Sequence, residues 1–140
     1  MSNNRFHLVI DNPDRNYFNG EIESLSIVTT QGTLTILAHH TDLIANVEIS
    51  HMVIHQNGHI LNYAIAGGVL NVYQKENTVI LCVNAIESEE EIDLTRALKA
   101  KEKAENILKE ENLSIRDGLK AEIKLKRALN RISLKKTNNA

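Results

Sequence analysis

This 140-residue sequence predicts an α+β fold: a body of short antiparallel strands, sandwich or flattened barrel, followed by a two-helix hairpin. Three observations carry the prediction. Through residue 84, apolar side chains alternate with polar ones at period two, and turn residues separate the runs. From Glu87 onward the apolar spacing switches to three and four. Charge divides at the same place, with three Lys/Arg against seven Asp/Glu in residues 1–84 and thirteen against eleven in residues 85–140.

The strand runs follow in order at residues 6–10, 21–28, 33–37, 42–49, 52–55, 59–66, 69–73 and 78–83. Ile22, Leu25 and Ile27 mark inward positions of the second. Asn12-Pro13-Asp14, Asn19-Gly20, Gln31-Gly32, Asn57-Gly58, Gly67-Gly68 and Glu76-Asn77 separate them. Asn57-Gly58 is the sharpest signal, since a two-residue type I′ turn needs positive φ at both central positions. Gly67-Gly68 lacks the spacing of a phosphate loop and reads as a bulge or a tight backbone approach.

The first helix has two candidate starts. Ser88 and Glu91 have capping-box spacing, and Asp93 is an alternative N-cap one turn later. Leu94, Ala97, Leu98, Ala104, Ile107 and Leu108 then form an apolar face about five turns long. Residues 110–114 break the pattern, and Leu119, Ala121, Leu125, Ala128, Leu129 and Ile132 supply the apolar face of a second helix. The domains are thus residues 1–86 and 87–140. A hairpin of about fifty residues with alanine-rich faces buries little apolar surface, so it is expected to exchange between folded and extended or docked forms.

Composition excludes several classes. Cys82 is the only cysteine, so no internal disulfide forms, and its apolar neighbours give it the reading of a small buried hydrophobe in a reducing compartment. No apolar run approaches the roughly 20 residues of a membrane span, and the polar start is unlike a signal peptide, so a cytosolic chain without direct lipid insertion is expected. His51, His55 and His59 recur every fourth residue, but the strand pattern spreads them over two strands and no metal site is expected. No nucleophile, base and orienting group occur in a supporting context, so the chain is read as no enzyme. An acidic body with no Trp, two Phe and three Tyr argues against nucleic-acid binding.

What remains is the tail. Residues 120–136 contain seven basic residues and one acid, Glu122, a stretch that seeks an acidic partner. Asp93 and Arg96 lie one turn apart, as do Arg127 and Arg131. If the helices pack antiparallel, Arg96, Arg127 and Arg131 can converge on one anion while Asp93 or Glu87 accepts hydrogen bonds from a base or ribose. The same spacing equally fits Asp93 as a helix cap and the arginines as a solvated face.

The order of parts resembles the epsilon subunit of bacterial F-type ATP synthases over nearly the whole chain. Gly32, Leu34, Ile36, Leu37, His40 and Leu43 keep the family's EGxLGILPxHxPL motif, whereas Gln31, Thr35, Ala38 and Asp42 depart from it. Ile92, Asp93, Arg96 and Ala97 match IDxxRA, and Lys126, Arg127, Ala128, Asn130 and Arg131 match the second helix. The resemblance implies a β-sandwich of about ten strands that clamps the gamma subunit and rests on the membrane rotor ring of a proton-translocating synthase. Gln31, Gly32, Thr33 and His40 would face that ring. It implies a folded hairpin that binds ATP, as a regulatory ligand and not a required cofactor, through Glu87, Ile92, Asp93, Arg96, Arg127 and Arg131. Lys103 stands where a further arginine is usual. It also implies an extended form whose Lys120, Lys124, Lys126, Arg127, Arg131 and Lys135 engage the catalytic alpha and beta subunits and block ATP hydrolysis. The resemblance places the subunit at the cytoplasmic face of the bacterial membrane. A passive structural clamp and a basic-helix adaptor are the alternatives.

Overall fold

The computed structural model describes residues 4–138, and strands occupy the body where apolar and polar positions alternate. In chain order the elements are β1 (Phe6–Asp11), β2 (Asn16–Ile22), β3 (Ser24–Thr29), β4 (Gly32–Ile36), β5 (Leu43–Gln56), β6 (His59–Tyr73), β7 (Thr78–Val83), β8 (Ile86–Ser88), α1 (Leu94–Leu108) and α2 (Ile115–Asn138). Two compact units divide between Ser88 and Glu89. The body extends past residue 86 because Glu87 and Ser88 pair with Ala64 and Tyr63.

The strands follow the path β2-β1-β7-β6-β5-β3-β4, with β8 beside β6. Neighbours are antiparallel except β1 and β7, which run parallel. The edge strand β2 returns to β5: Gln56 Nε2 donates to Glu21 O at 2.9 Å, and Glu23 N, just after β2, donates to His55 O at 2.8 Å. The sheet therefore folds over on itself as a sandwich. Phe6, Leu8 and Ile10 of β1, Leu25 and Ile27 of β3, and Val79, Leu81 and Val83 of β7 point into one core with Met52, Ile54, Ile65 and Leu70. Tyr17 meets Tyr63 edge-on, 6.1 Å between ring centres, at the margin of that core.

Several expected breaks are absent. Runs 42–49 and 52–55 are one strand, β5, because Ser50 satisfies its hydroxyl locally on Glu48 O at 3.0 Å and leaves the ladder intact. Runs 59–66 and 69–73 merge into β6. Asn19-Gly20 lies inside β2, opposite Val9 and Leu8. The turn comes earlier, where Asn12 Oδ1 accepts from both Asp14 N and Arg15 N at 2.9 Å. The run 21–28 instead divides at Glu23, between β2 and β3. Cys82 is exposed, not buried: Val79, Leu81 and Val83 take the inward phase of β7, so Cys82 falls on the outward one. Asn57-Gly58 forms the predicted turn, with φ of 52° and 79°.

Gly67-Gly68 is a tight approach. The backbone of β6 changes partner here, from β8 at residues 63–65 to β7 at residues 68–73. Gly67 takes φ of 88°, and its carbonyl accepts from Asn84 N at 2.9 Å. A Cβ on Gly68 would stand 2.1 Å from Cys82 O and 2.8 Å from Val83 Cα, both rigid backbone of β7. Gly68→Ala is expected to destabilise the body by about 1–3 kcal/mol or more in urea unfolding. Gly118→Ala, where the nearest atom is Leu113 Cδ2 at 3.6 Å, should instead stabilise helix α2 by about 0.5–1 kcal/mol. Equal effects from the two substitutions would contradict the packing described here.

Candidate functional site: the cleft of the helical hairpin

Local capping sets where each helix begins. Asp93 has extended φ and ψ, and its carboxylate accepts from Arg96 N at 3.1 Å, making it the N-cap of α1. Ser88 cannot take that role because it belongs to β8. α1 ends at Lys109, and Asn112 turns the chain with φ of 60°. Ser114 then caps α2, its Oγ accepting from Asp117 N at 3.1 Å. Asp117 in the first turn and Lys135 and Lys136 in the last complement the helix dipole. Lys135 Nζ donates to Glu89 O at 3.0 Å, tying the end of α2 to the segment that leads into α1. The helices are antiparallel neighbours.

Alanines form the seam. Ala97 and Ala104 on α1, and Ala121 and Ala128 on α2, are buried, each pair seven residues apart. Three leucines expected on the apolar faces are not in it: Leu98 is 41% exposed, Leu119 56% and Leu129 44%. Toward the end of α2, Ile132, as expected, and Leu134 are buried; where alanines meet, the helix axes can approach closely and Leu98, Leu119 and Leu129 flank the contact. Ile115 and Ile123 are likewise exposed, which leaves an apolar ridge of Ile115, Leu119 and Ile123 at helical spacing.

Beside the seam lies a cleft of about 290 Å³ lined by Ala100, Lys103, Ala104, Ile107, Lys124, Arg127, Ala128 and Arg131. Positions 100, 103, 104 and 107 share one face of α1, and 124, 127, 128 and 131 share one face of α2, as helical periodicity requires. Four cations thus look across small side chains into one space. The Nε of Arg127 is buried and has no hydrogen-bond partner among the described residues. A buried donor without a partner costs about 1–3 kcal/mol. An anion in the cleft removes that cost, so the residues present fit a phosphate group. A second cleft of about 270 Å³ adjoins it, sharing Ile107 and Lys124 and adding Glu110, Leu113, Asp117, Lys120 and Ala121.

Of the residues predicted to gather around nucleotide, Arg127 and Arg131 share this cleft. Arg96 lies on the same face of α1, one turn before Ala100, and is exposed. Ile92 is buried, and Asp93 is committed to its cap. Glu87 is in β8, a strand of the body. Lys124, expected only on the inhibitory face, and Lys103 complete the cationic lining. The spacing of Lys103 from Ala100 and Ile107, matched by that of Lys124, Arg127 and Arg131, carried the signal in the sequence. Of the other inhibitory-helix residues, Lys120 lines the adjoining cleft and Lys126 is exposed.

The predicted ring-facing residues occupy two loops at opposite ends of β4. Thr30 and Gln31 turn the chain between β3 and β4, where Thr29 Oγ1 accepts from Gln31 N at 3.1 Å and donates to the carbonyl of Gly32, the first residue of β4, at 2.8 Å. Thr33 follows in β4, exposed. His40 lies between β4 and β5, its Nδ1 2.8 Å from Thr41 O. Asn77 anchors that loop: its Oδ1 accepts from His39 N and its Nδ2 donates to Arg5 O, both at 2.7 Å.

A β-sandwich followed by a helical hairpin is the build of the ATP synthase delta and epsilon chains. The family model "ATP synthase, Delta/Epsilon chain, beta-sandwich domain" matches residues 5–88. The model "ATP synthase, Delta/Epsilon chain, long alpha-helix domain" matches residues 90–136. The ATP synthase epsilon chain of Mycoplasma mobile is 36% identical over 99% of each chain. That of Clostridium novyi is 39% identical over 92% of this chain and 96% of the relative. The chain belongs to the family of bacterial ATP synthase epsilon subunits. The fold is shared with a chain of the Euglena gracilis mitochondrial ATP synthase OSCP/F1/c-ring structure, with a TM-score of 0.77 at 20% identity over 91% of this chain and 79% of that one. Among the described residues no helix is long and apolar enough to cross a membrane.

Asp93 can be tested as a cap. Asp93→Ala should cost the hairpin about 1 kcal/mol, while Asp93→Asn, an equally good cap, should cost only a few tenths. Hydrogen exchange of the first-turn amides of α1 is the measurement. Equal losses from Ala and Asn would show that the charge, and not the cap, is what matters.

Proposed function

We propose that this chain is the non-catalytic epsilon subunit that couples the gamma stalk and membrane rotor ring of a proton-translocating ATP synthase to the catalytic head, and that its hairpin brakes ATP hydrolysis. The carrying observation is that Lys124, Arg127 and Arg131 line the cleft of the folded hairpin and belong to the basic face of α2. In the folded form they face an anion; in the extended form they face the alpha and beta subunits. The same charges cannot serve both at once. ATP in the cleft therefore favours the folded, non-inhibitory form.

Magnitudes support a shared control. Ligand at a hundredfold excess over its dissociation constant contributes about 2.7 kcal/mol, whereas switching a population from 1:99 to 99:1 takes about 5.5 kcal/mol. Nucleotide acts together with the occupancy of the catalytic head or the proton-motive force. The alanine seam lowers the demand, because alanine buries little area and the folded hairpin lies close in free energy to its open form.

The body supplies the fixed attachment. Gln31, Gly32, Thr33 and His40 face the ring, and exposed Leu37 and Ile44 add apolar surface in the same region of the chain. A Tetrahymena thermophila chain in a central stalk/c-ring structure shares the fold with a TM-score of 0.61 at 10% identity, in keeping with a subunit of such an assembly. The subunit works at the cytoplasmic face of the bacterial membrane.

Truncation after Ser88 is the direct test. ATP hydrolysis by the reconstituted catalytic head should rise relative to the full chain. Unchanged hydrolysis would leave the subunit a passive clamp. In parallel, calorimetric titration of the intact protein with ATP should give binding that weakens about tenfold or more in Arg127→Ala.

A further inference from the structure

Two turns of the body meet. Ala38 and His39 turn the chain between β4 and β5, and residues 74–77 turn it between β6 and β7. In the first turn only His39 has positive φ, 61°. Positive φ at the third position of a four-residue turn is type II geometry, which favours glycine or asparagine there and proline at the position before. This turn has neither, because His39 occupies the third position and Ala38 the second. His39 therefore carries the Cβ strain that glycine avoids, and Ala38 leaves free the φ that proline would fix.

Side chains of the second turn supply what the first lacks. Asn77 Oδ1 accepts from His39 N at 2.7 Å, and Gln74 Nε2 donates to His39 O at 3.0 Å. Both backbone groups of the strained residue are thus held by side chains 38 and 35 residues away in sequence. Asp42 Oδ1 accepts from Gln74 N at 2.8 Å and ties the far end of the loop to the same turn. The clamp is itself anchored. Asn77 takes φ of 49°, its N–H donates to Gln74 O at 3.0 Å, its carbonyl accepts from His7 N at 3.0 Å, and its Nδ2 donates to Arg5 O at 2.7 Å. Exposed Leu37 and half-buried His40 line one surface depression with Tyr73, Asn77 and Thr78. Ala38 and Asp42 are also positions where the chain departs from the EGxLGILPxHxPL pattern, so tertiary hydrogen bonds stand here in place of prolines that set φ locally.

We propose that Gln74 and Asn77 are positioning residues for docking on the rotor ring: they hold His39, and through it the loop that carries Leu37 and His40, in the binding conformation before the ring is met. The proposal rests on the reading of this loop as ring-facing. A loop ordered in advance loses less conformational freedom on binding, so the clamp strengthens docking without either side chain touching the ring.

The test pairs hydrogen exchange of the intact chain with its binding to liposomes that contain the purified membrane rotor ring. Asn77→Gly keeps the positive φ and removes both side-chain hydrogen bonds, whereas Gln74→Met removes only a side-chain donor. Both are expected to speed exchange in residues 37–42 about tenfold or more and to weaken ring binding about tenfold. Adding Ala38→Pro to Asn77→Gly should recover most of that affinity, because proline fixes locally what the clamp fixed from a distance; a general loss of stability would not be rescued there. Urea unfolding of Gln74→Met, expected to match the parent, separates a loosened loop from a weakened fold. Unchanged loop exchange in both variants would overturn the clamp. Faster exchange with unchanged ring binding, or no rescue by Ala38→Pro, would overturn the positioning role. Failure of the parent itself to bind the ring would overturn the ring-facing reading, an outcome distinct from the other two.

Discussion

Four alanines line the seam of the hairpin, and Ile92, Ile132 and Leu134 are buried in the same unit. Ala97 and Ala104 meet the face that carries Ala121 and Ala128, and nothing larger than a methyl group intervenes at those positions. Close approach has two consequences. The two rows of cationic side chains are brought to the rim of one narrow cleft, where the buried Nε of Arg127 has no hydrogen-bond partner among the described residues. Little apolar area is removed from water, so the contact that concentrates the charge is also a weak one. A leucine seam would hold the helices more firmly and further apart, and would serve a switch less well.

The body is built on the opposite principle. Strands of 14 and 15 residues, β5 and β6, form its longest ladder. The sheet folds over until β2 meets β5, and bulky side chains from β1, β3, β5, β6 and β7 fill the single core. Polar loops are tied down by specific side chains: Asn77 links the segments around Arg5 and His39, and Asp42 Oδ1 accepts from Gln74 N at 2.8 Å. A rigid attachment and a marginal appendage thus occupy one chain, each with its own kind of packing. That division suits the coupling subunit with a movable brake proposed above.

Charge placement joins the proposed anion binding to the proposed brake. Basic residues along α2 spread over more than one face: Lys120, Lys124, Arg127 and Arg131 line the clefts, Lys126 is exposed, and Lys135 bonds Glu89 O. Folding therefore occupies some of the charges a partner would use. Competition for the same side chains is the simplest coupling between ligand and partner, because each ligand shifts the equilibrium only by its differential affinity for the two forms.

The sequence by itself determined the architecture and most of the turns. Period-two alternation located the strands, the change of period at Glu87 announced the helices, and Asn57-Gly58 and Asp93 fulfilled their local roles, because backbone sterics and capping act within a few residues. Cys82, read from its apolar neighbours as buried, is exposed instead, because Val79, Leu81 and Val83 take the inward phase of its strand. Tertiary structure decided what depends on distant partners. Asn19-Gly20 and Gly67-Gly68 look like turns locally, yet the ladder to β1 and the change of partner from β8 to β7 hold both inside strands. Leucines or alanines could each have formed the hairpin seam on periodicity alone. Only the antiparallel docking of α1 on α2 buries the alanines with Ile132 and Leu134, leaves Leu98, Leu119 and Leu129 outside, and gathers Lys103, Lys124, Arg127 and Arg131 at one cleft.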